Sequence, residues 1–528
     1  MKWKVGFFIV TLFFTCCTAQ YNNDEFSIFK YNESAGIATL DPIFAKDQAT
    51  IWATNQLFNG LVQLDNDLNV KPSIAKSWQI SDDALVYTFS LRDDVFFHED
   101  KLFKNGKGRK VIAEDFEYSF NRLLDKKLAA PGAWVLSNVN GFKTENDSIF
   151  IIELTTPFPA FLSLLSMQYC SVVPREIIEA RDFNRQPIGT GPFQFQLWKD
   201  GVKLVLRKNP NYFEKEAGKQ LPFLDAIAIT FIKDKQSAFL QFIQGRLDFI
   251  SGIDASYKDE ILTNKGELQE KYKEKVILQS EPYLNTEYLG FLMETPLPLK
   301  IRQAINYGFD RVKMLKYLRN NIGTPANQGF IPMGLPSFSE KLNGYSYKPE
   351  KARQLVLAAE IENGFDSEKE ILLSTTSSYL DLCEYIQNQL QDIGLKVRVE
   401  VSPASTHRQM VATSKLNFFR GSWIADYPDA ENYLSLFYSK NFCPNGPNYT
   451  HFKNETFDAL YEKALSETNI ETRYAYYQQM DSLIIESAVI VPLYYDRVLR
   501  FTNKNILGFE SNAMNLLDLK RVRKNIKH

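Results

Sequence analysis

The sequence predicts an α/β or α+β protein, a sheet covered by helices, and three observations carry that prediction. The first is a β-α-β pattern. Ile371-Leu372-Leu373 is a short apolar run, Leu380, Cys383, Ile386, Leu390 and Ile393 follow at helical spacing, and Leu395, Val397, Val399 and Val401 then alternate. Gly394 stands where a residue just past a helix C-terminus belongs. Parallel strands joined by such a crossover imply a helix-covered sheet. The second observation is that strand and helix signals alternate throughout. The third is that no period of about 20–50 residues recurs, which removes solenoids and propellers.

Taken in chain order, Leu85, Tyr87, Phe89 and Leu91 fall on one face of a period-two run after the turn-like Ser81-Asp82-Asp83. His98-Glu99-Asp100 reads as a polar hairpin tip, and Gly106-Lys107-Gly108-Arg109-Lys110 as a solvated basic turn. A helix is expected from Lys300 past Asp310, with Ile301, Ala304 and Ile305 inward. Another opens at Tyr347-Lys348-Pro349, where Pro suits the first helical position and Ala352, Leu355, Val356 and Ala359 share a face.

At 528 residues the chain has length for roughly three or four structural units at ~150 residues each. Its 45% hydrophobic and 23% charged residues are ordinary for a globular protein. Sixty-one basic against sixty-three acidic side chains give a net charge of -2, without the basic excess of a nucleic-acid binder. Aromatics reach 14%, enough to fill cores and still line clefts. With four histidines a His-rich metal centre is not expected, and no cofactor is.

The N-terminus carries Lys2 and Lys4 ahead of the apolar run Val5 to Phe14, which fits a signal-peptide core and falls short of the ~20 residues of a membrane span. Cys16 and Cys17 follow directly and resemble a lipobox, in which the cysteine is lipidated; plain cleavage after Ala19 is the alternative. Export and a lipid anchor are therefore expected. The remaining Cys170, Cys383 and Cys443 are widely spaced and odd in number, so three separate thiols, at least two of them buried, are expected.

Catalytic signatures are missing from the sequence: no GxSxG, GxxxxGK[ST], HExxH or GxGxxG pattern occurs. The adjacent acids Asp82-Asp83 and Asp93-Asp94 suit turns better than acid/base pairs, because neighbours on a strand point to opposite faces. A binding protein is favoured over an enzyme. The informative segment runs from Phe418 to Asp429, where Arg420, Trp423, Asp426, Tyr427 and Asp429 gather in an otherwise apolar stretch. It reads either as a buried ion pair beside a packed Trp or as a cleft wall, with Trp423 and Tyr427 as stacking surface and a charge for the ligand. An unpaired buried Asp costs several kcal/mol, so a site holding one should receive a cation.

Trp423-Ile424-Ala425-Asp426-Tyr427-Pro428-Asp429 resembles the late motif of the family-5 extracellular solute-binding proteins, the peptide receptors of bacterial ABC importers. Other blocks agree in the family's order: Leu57-Phe58-Asn59-Gly60-Leu61, Pro72 to Trp78, Tyr87 to His98, Ala113-Glu114-Asp115-Phe116, Gly189-Thr190-Gly191-Pro192-Phe193, Arg207 to Tyr212, Arg302 to Arg311 and Lys348 to Ala352. The likeness covers about residues 37 to 520.

The resemblance implies a two-lobed, type II periplasmic-binding-protein fold that closes about a hinge. Lobe one would comprise 21–60, 186–282 and 501–528, lobe two 283–500, with an inserted subdomain at 61–185. It further implies a monomeric, non-catalytic receptor, periplasmic or at the cell surface, that delivers peptides to an ABC permease. By the same resemblance Asp426 would pair with the peptide α-ammonium. Arg420 would serve the carboxylate end of short peptides or brace a neighbouring acid, and the strand with Tyr283 and Asn285 would pair with peptide backbone. Ile424 stands where some oligopeptide receptors carry a disulfide, and no basic residue near Ser374–Ser378 matches the carboxylate contact of dipeptide receptors. A nickel chelate, haem or an oligosaccharide are the alternative ligands within the family; a secreted hydrolase is the alternative outside it.

Overall fold

The computed structural model describes residues 26–254, 256–295 and 297–525; the leader with Cys16 and Cys17 lies outside the described residues. One large sheet runs through both lobes. Its order is Val397–Val401, Ile371–Thr375, Phe418–Ile424, Val276–Phe291, Ile490–Asn503, Phe249–Ser251, Ile28–Asn32, Ala226–Thr230, Lys203–Lys208 and Phe193–Lys199. The long strands Val276–Phe291 and Ile490–Asn503 pair antiparallel at the middle of the sheet. Their ladder breaks register between Pro282 and Thr286. Period-two alternation explains why Val276–Phe291 is so apolar. Leu289 and Phe291 enter one core, while Leu284 and Tyr288 enter the core on the opposite face.

The β-α-β unit forms as its periodicity requires: Ile371–Thr375 and Val397–Val401 are parallel, joined through the helix Leu380–Gln391. Gly394 sits at φ +90°, a conformation that costs glycine little. The helix Pro349–Asn363 begins at its proline and buries Ala352, Val356 and Ala359.

The expected helix past Asp310 is instead two, Leu299–Tyr307 and Arg311–Leu318. Gly308 presses on Leu390 and Ile393, so closely that a Cβ there would lie 2.7 Å from the Ile393 Cδ1. Asp310 then starts the second helix by accepting from the backbone N–H groups of Val312 and Lys313, both at 3.0 Å.

A second, four-stranded sheet orders Ala75–Ile80, Val86–Leu91, Ile149–Leu154 and Val139–Asn146. Tyr87, Phe89 and Leu91 are buried as the alternation predicts, and the helix Ala113–Leu124 packs Phe116 and Phe120 against Phe150. Two sequence readings are corrected in this region. His98 is no hairpin tip: it is buried, its Nε2 is 3.0 Å from the Gly191 carbonyl and its Nδ1 accepts from the Gly189 N–H at 3.2 Å. Burial lowers its pKa to about 4, so it serves as a neutral bridge. Arg109 is no solvated turn residue either, since it binds Asp115 at 2.6 Å and Glu176. Cys170, Cys383 and Cys443 are free and buried.

Two acids are buried in the C-terminal half of the chain. Asp481 accepts from the Phe330 and Ile331 N–H groups at 2.7 and 3.4 Å, and burial raises its pKa to about 7. Glu431, between the hydroxyls of Tyr427 and Tyr461, is likewise raised to about 7 by burial. Unfolded, both would titrate near 4. Between about pH 4 and 7 these two acids hold protons in the fold that they have lost in the unfolded chain, so their contribution falls as pH rises. His98, neutral in the fold and charged in the unfolded chain below about pH 6.5, opposes them with one group against two. The urea midpoint should be lower at pH 8 than at pH 5, and the double substitution Glu431→Gln with Asp481→Asn should flatten the dependence. A midpoint that rises from pH 5 to 8 in the wild-type chain would contradict this.

Candidate ligand-binding site

The site is built where Phe418–Ile424 ends. That strand pairs antiparallel with Val276–Phe291, with Asn285 opposite Ile424 and Glu287 opposite Ser422. Ala425 then donates to the Leu284 carbonyl at 2.9 Å, and the chain turns out of the sheet. Asn432, buried in the short helix Glu431–Leu434, organises the turn. Its Oδ1 accepts from the Trp423 indole at 2.9 Å and from the Asp426 N–H at 3.1 Å, while its amide donates weakly to the Asp426 carboxylate at 3.4 Å.

Asp426 faces a cleft of about 320 Å³ lined by Trp52, Tyr169, Tyr283, Tyr427 and Met514. Its side chain is open to the cleft, yet the walls displace water around it. That desolvation raises its pKa, against which Asn432 lowers it. No cation accompanies it among the described residues. Tyr427 forms part of the wall, but its ring is largely buried, its hydroxyl is taken by Glu431, and it meets Trp134 of the smaller sheet's region with ring centroids 6.3 Å apart. Trp423 lines neither this cleft nor its extension and serves to hold Asn432.

Tyr283 and Asn515 line both this cleft and a second cavity of about 590 Å³, so the two adjoin at these residues. Burial raises the Tyr283 pKa to about 12, with Asp496 adding to the rise. The second cavity has a different character: Lys258, Arg319 and Arg497 line it, with Asp254, Asp381 and Asp496 among them. Arg319 contacts Asp496 at 3.2 Å, and Arg497 donates to the Ser280 hydroxyl and carbonyl at 2.8 and 2.6 Å. The Arg319 Nε is buried without a partner among the described residues.

Arg420 lines neither cavity. It pairs with buried Glu287, and its guanidinium carbon lies 3.3 Å from the centroid of the Tyr379 ring. Burial alone would lower the Arg420 pKa; Glu287 beside it raises it, so the guanidinium is charged. Of the two readings of Arg420, the geometry matches the brace. Asn285 is drawn into the same network, 3.2 Å from Glu287 and 3.4 Å from Asp496. The candidate residues thus divide: Asp426, Tyr427 and Tyr283 at the cleft, Trp423 behind it, and Arg420 with Asn285 in the sheet beneath.

Sequence reasoning missed Asn432, Glu287, Arg319 and Arg497. Only Glu287 carried a signal, as an acid directly ahead of the apolar stretch Tyr288 to Met293.

The model of the bacterial extracellular solute-binding proteins, family 5 (middle), matches residues 69–442. Among curated relatives, heme-binding protein A of Haemophilus influenzae is 27% identical over 84% of this chain and 82% of its own. The dipeptide-binding protein DppE of Bacillus subtilis is 25% identical over 92% and 90%. Among solved structures, the periplasmic binding protein DppA of Helicobacter pylori in complex with the peptide STSA superposes with a TM-score of 0.76 at 23% identity, covering 94% of this chain and 98% of that one.

Proposed function

The chain belongs to the bacterial extracellular solute-binding proteins of family 5, and on that premise we propose that it captures short peptides in the inter-lobe cleft and delivers them to an ABC permease. The observation that carries the reading is Asp426, a carboxylate desolvated in the cleft wall with one weak side-chain contact. A peptide α-ammonium is the group that offsets that desolvation. From there a peptide would pass Tyr283 toward Arg319, Arg497 and Lys258, whose charges suit its carboxylate. Within the broken ladder between Pro282 and Thr286 the Leu284 main chain is already taken by Ala513 and Ala425, so Tyr283 is the residue whose backbone would pair with the peptide main chain, a contact indifferent to peptide side chains.

With this reading go a lipid anchor at Cys17 or Cys16, a monomeric state, and lobes bounded as 21–60, 186–282 and 501–528 against 283–500, with 61–185 inserted. The extracellular family supports an exported location. A second reading, haem, is favoured by the aromatic and Met lining around Trp52, Tyr169, Met167 and Met514, and by the relative named a heme-binding protein.

Mass spectrometry of species released on denaturing the purified full chain separates these readings. A ladder of short peptides is expected. Haem, a metal chelate or a sugar in their place would overturn the peptide assignment while leaving the family standing.

A further inference from the structure

Away from the cleft, two polar side chains meet one sulfur and a third backs one of them. The Cys443 Sγ lies 3.3 Å from the His451 Nε2 and 3.1 Å from the Ser414 hydroxyl, which is itself 3.0 Å from the same nitrogen. The other ring nitrogen, Nδ1, is 2.7 Å from the Glu294 carboxylate. Phe442 stacks flat on the imidazole with centroids 4.5 Å apart, and His451 is held at φ +51°, a strained backbone for a side chain of its size. This is a nucleophile, a base, and an acid that orients the base: Glu294 fixes a proton on Nδ1 and leaves Nε2 to take one from the thiol. A proton on Nε2 also finds the Cys443 carbonyl at 3.1 Å.

The other two thiols have nothing comparable. Cys170 and Cys383 sit inside hydrophobic cores, where burial raises their pKa, to about 11 for Cys383. Cys443 lies outside those cores and is only 4% exposed, but its cluster opens outward through Glu294, whose side chain is 60% exposed.

We propose that Cys443 is a covalent modification site, a His451-activated thiol that takes low-molecular-weight disulfides. In the reaction His451 Nε2 accepts the thiol proton, and Cys443 Sγ attacks one sulfur of the disulfide. A new S–S bond to Cys443 forms as the old one breaks, and the departing thiolate leaves as a thiol with the proton held by His451. The protein thiol is oxidised and half of the disulfide reduced, so no further oxidant is required.

The test is to expose the native full chain to bis(hydroxyethyl) disulfide and follow adducts by intact mass and peptide mapping. Cys443 is expected to form the mixed disulfide while Cys170 and Cys383 remain thiols. His451→Gln and the surface substitution Glu294→Gln should each slow it by about tenfold or more. Glu294→Gln keeps the test decisive should His451→Gln fail to fold. An unmodified Cys443 in the native chain, or wild-type rates in both variants, would overturn the proposal.

Discussion

Asp426→Asn is expected to weaken peptide binding by about 2 kcal/mol or more, roughly a thirtyfold rise in Kd. The substitution removes the counter-charge for the ammonium and keeps the shape, because the side-chain oxygen that Asn432 contacts at 3.4 Å remains. The same substitution should leave the unliganded fold intact or raise its melting temperature. The carboxylate it replaces is desolvated without a cation, and relieving that cost favours the folded state. Opposite signs in affinity and stability distinguish a ligand contact from a structural acid, whose loss would lower both. Calorimetry with free and N-acetylated peptides gives the matching ligand-side test: acetylation should weaken binding to the wild-type chain and change little in the variant. Equal affinity for the two peptide forms in the wild-type chain would show that the ammonium is not read. Since the Asp426 pKa is raised, binding should also begin to fail at a higher pH on acidification than an ordinary Asp would give.

What the sequence disclosed follows from which interactions are local. The β-α-β unit was legible because its core positions, from Ile371 through Leu390 to Val397, repeat at the period of their own elements. Asp426 was legible because its motif is contiguous. The break at Gly308 was hidden, since Ile301, Ala304, Met314 and Leu315 continue one helical spacing, and the cause, Ile393 pressing on Gly308, lies far along the chain. Arg319 and Arg497 were hidden for the same reason. One follows a helix and the other lies in an alternating strand, so each reads as surface charge until the fold sets both on one cavity. His98 misled because a polar tripeptide suits a hairpin tip, whereas its partners are backbone atoms of Gly189 and Gly191.

Arg420 is where local pattern left two readings open, and its substitution carries the second large effect. Glu287 stands opposite Ser422, so Arg420, two residues along the same strand, is its diagonal cross-strand neighbour on one face of the sheet. Their side chains are 11% and 3% exposed. Arg420→Ala should therefore destabilise the chain by about 3 kcal/mol or more, because Glu287 would stay buried with only Asn285 and Tyr379 as donors. Replacing both partners, Arg420→Met with Glu287→Leu, should recover most of that loss, since no uncompensated charge remains. Urea unfolding of the two single variants and the double variant closes the cycle. The double variant also tests the alternative role, as it folds without the guanidinium. If Arg420 only braces Glu287, the double variant should discriminate between free and C-terminally amidated peptides as the wild-type chain does. If it alone loses its preference for the free carboxylate, Arg420 reads the peptide end, and Arg319 and Arg497 at the second cavity do not.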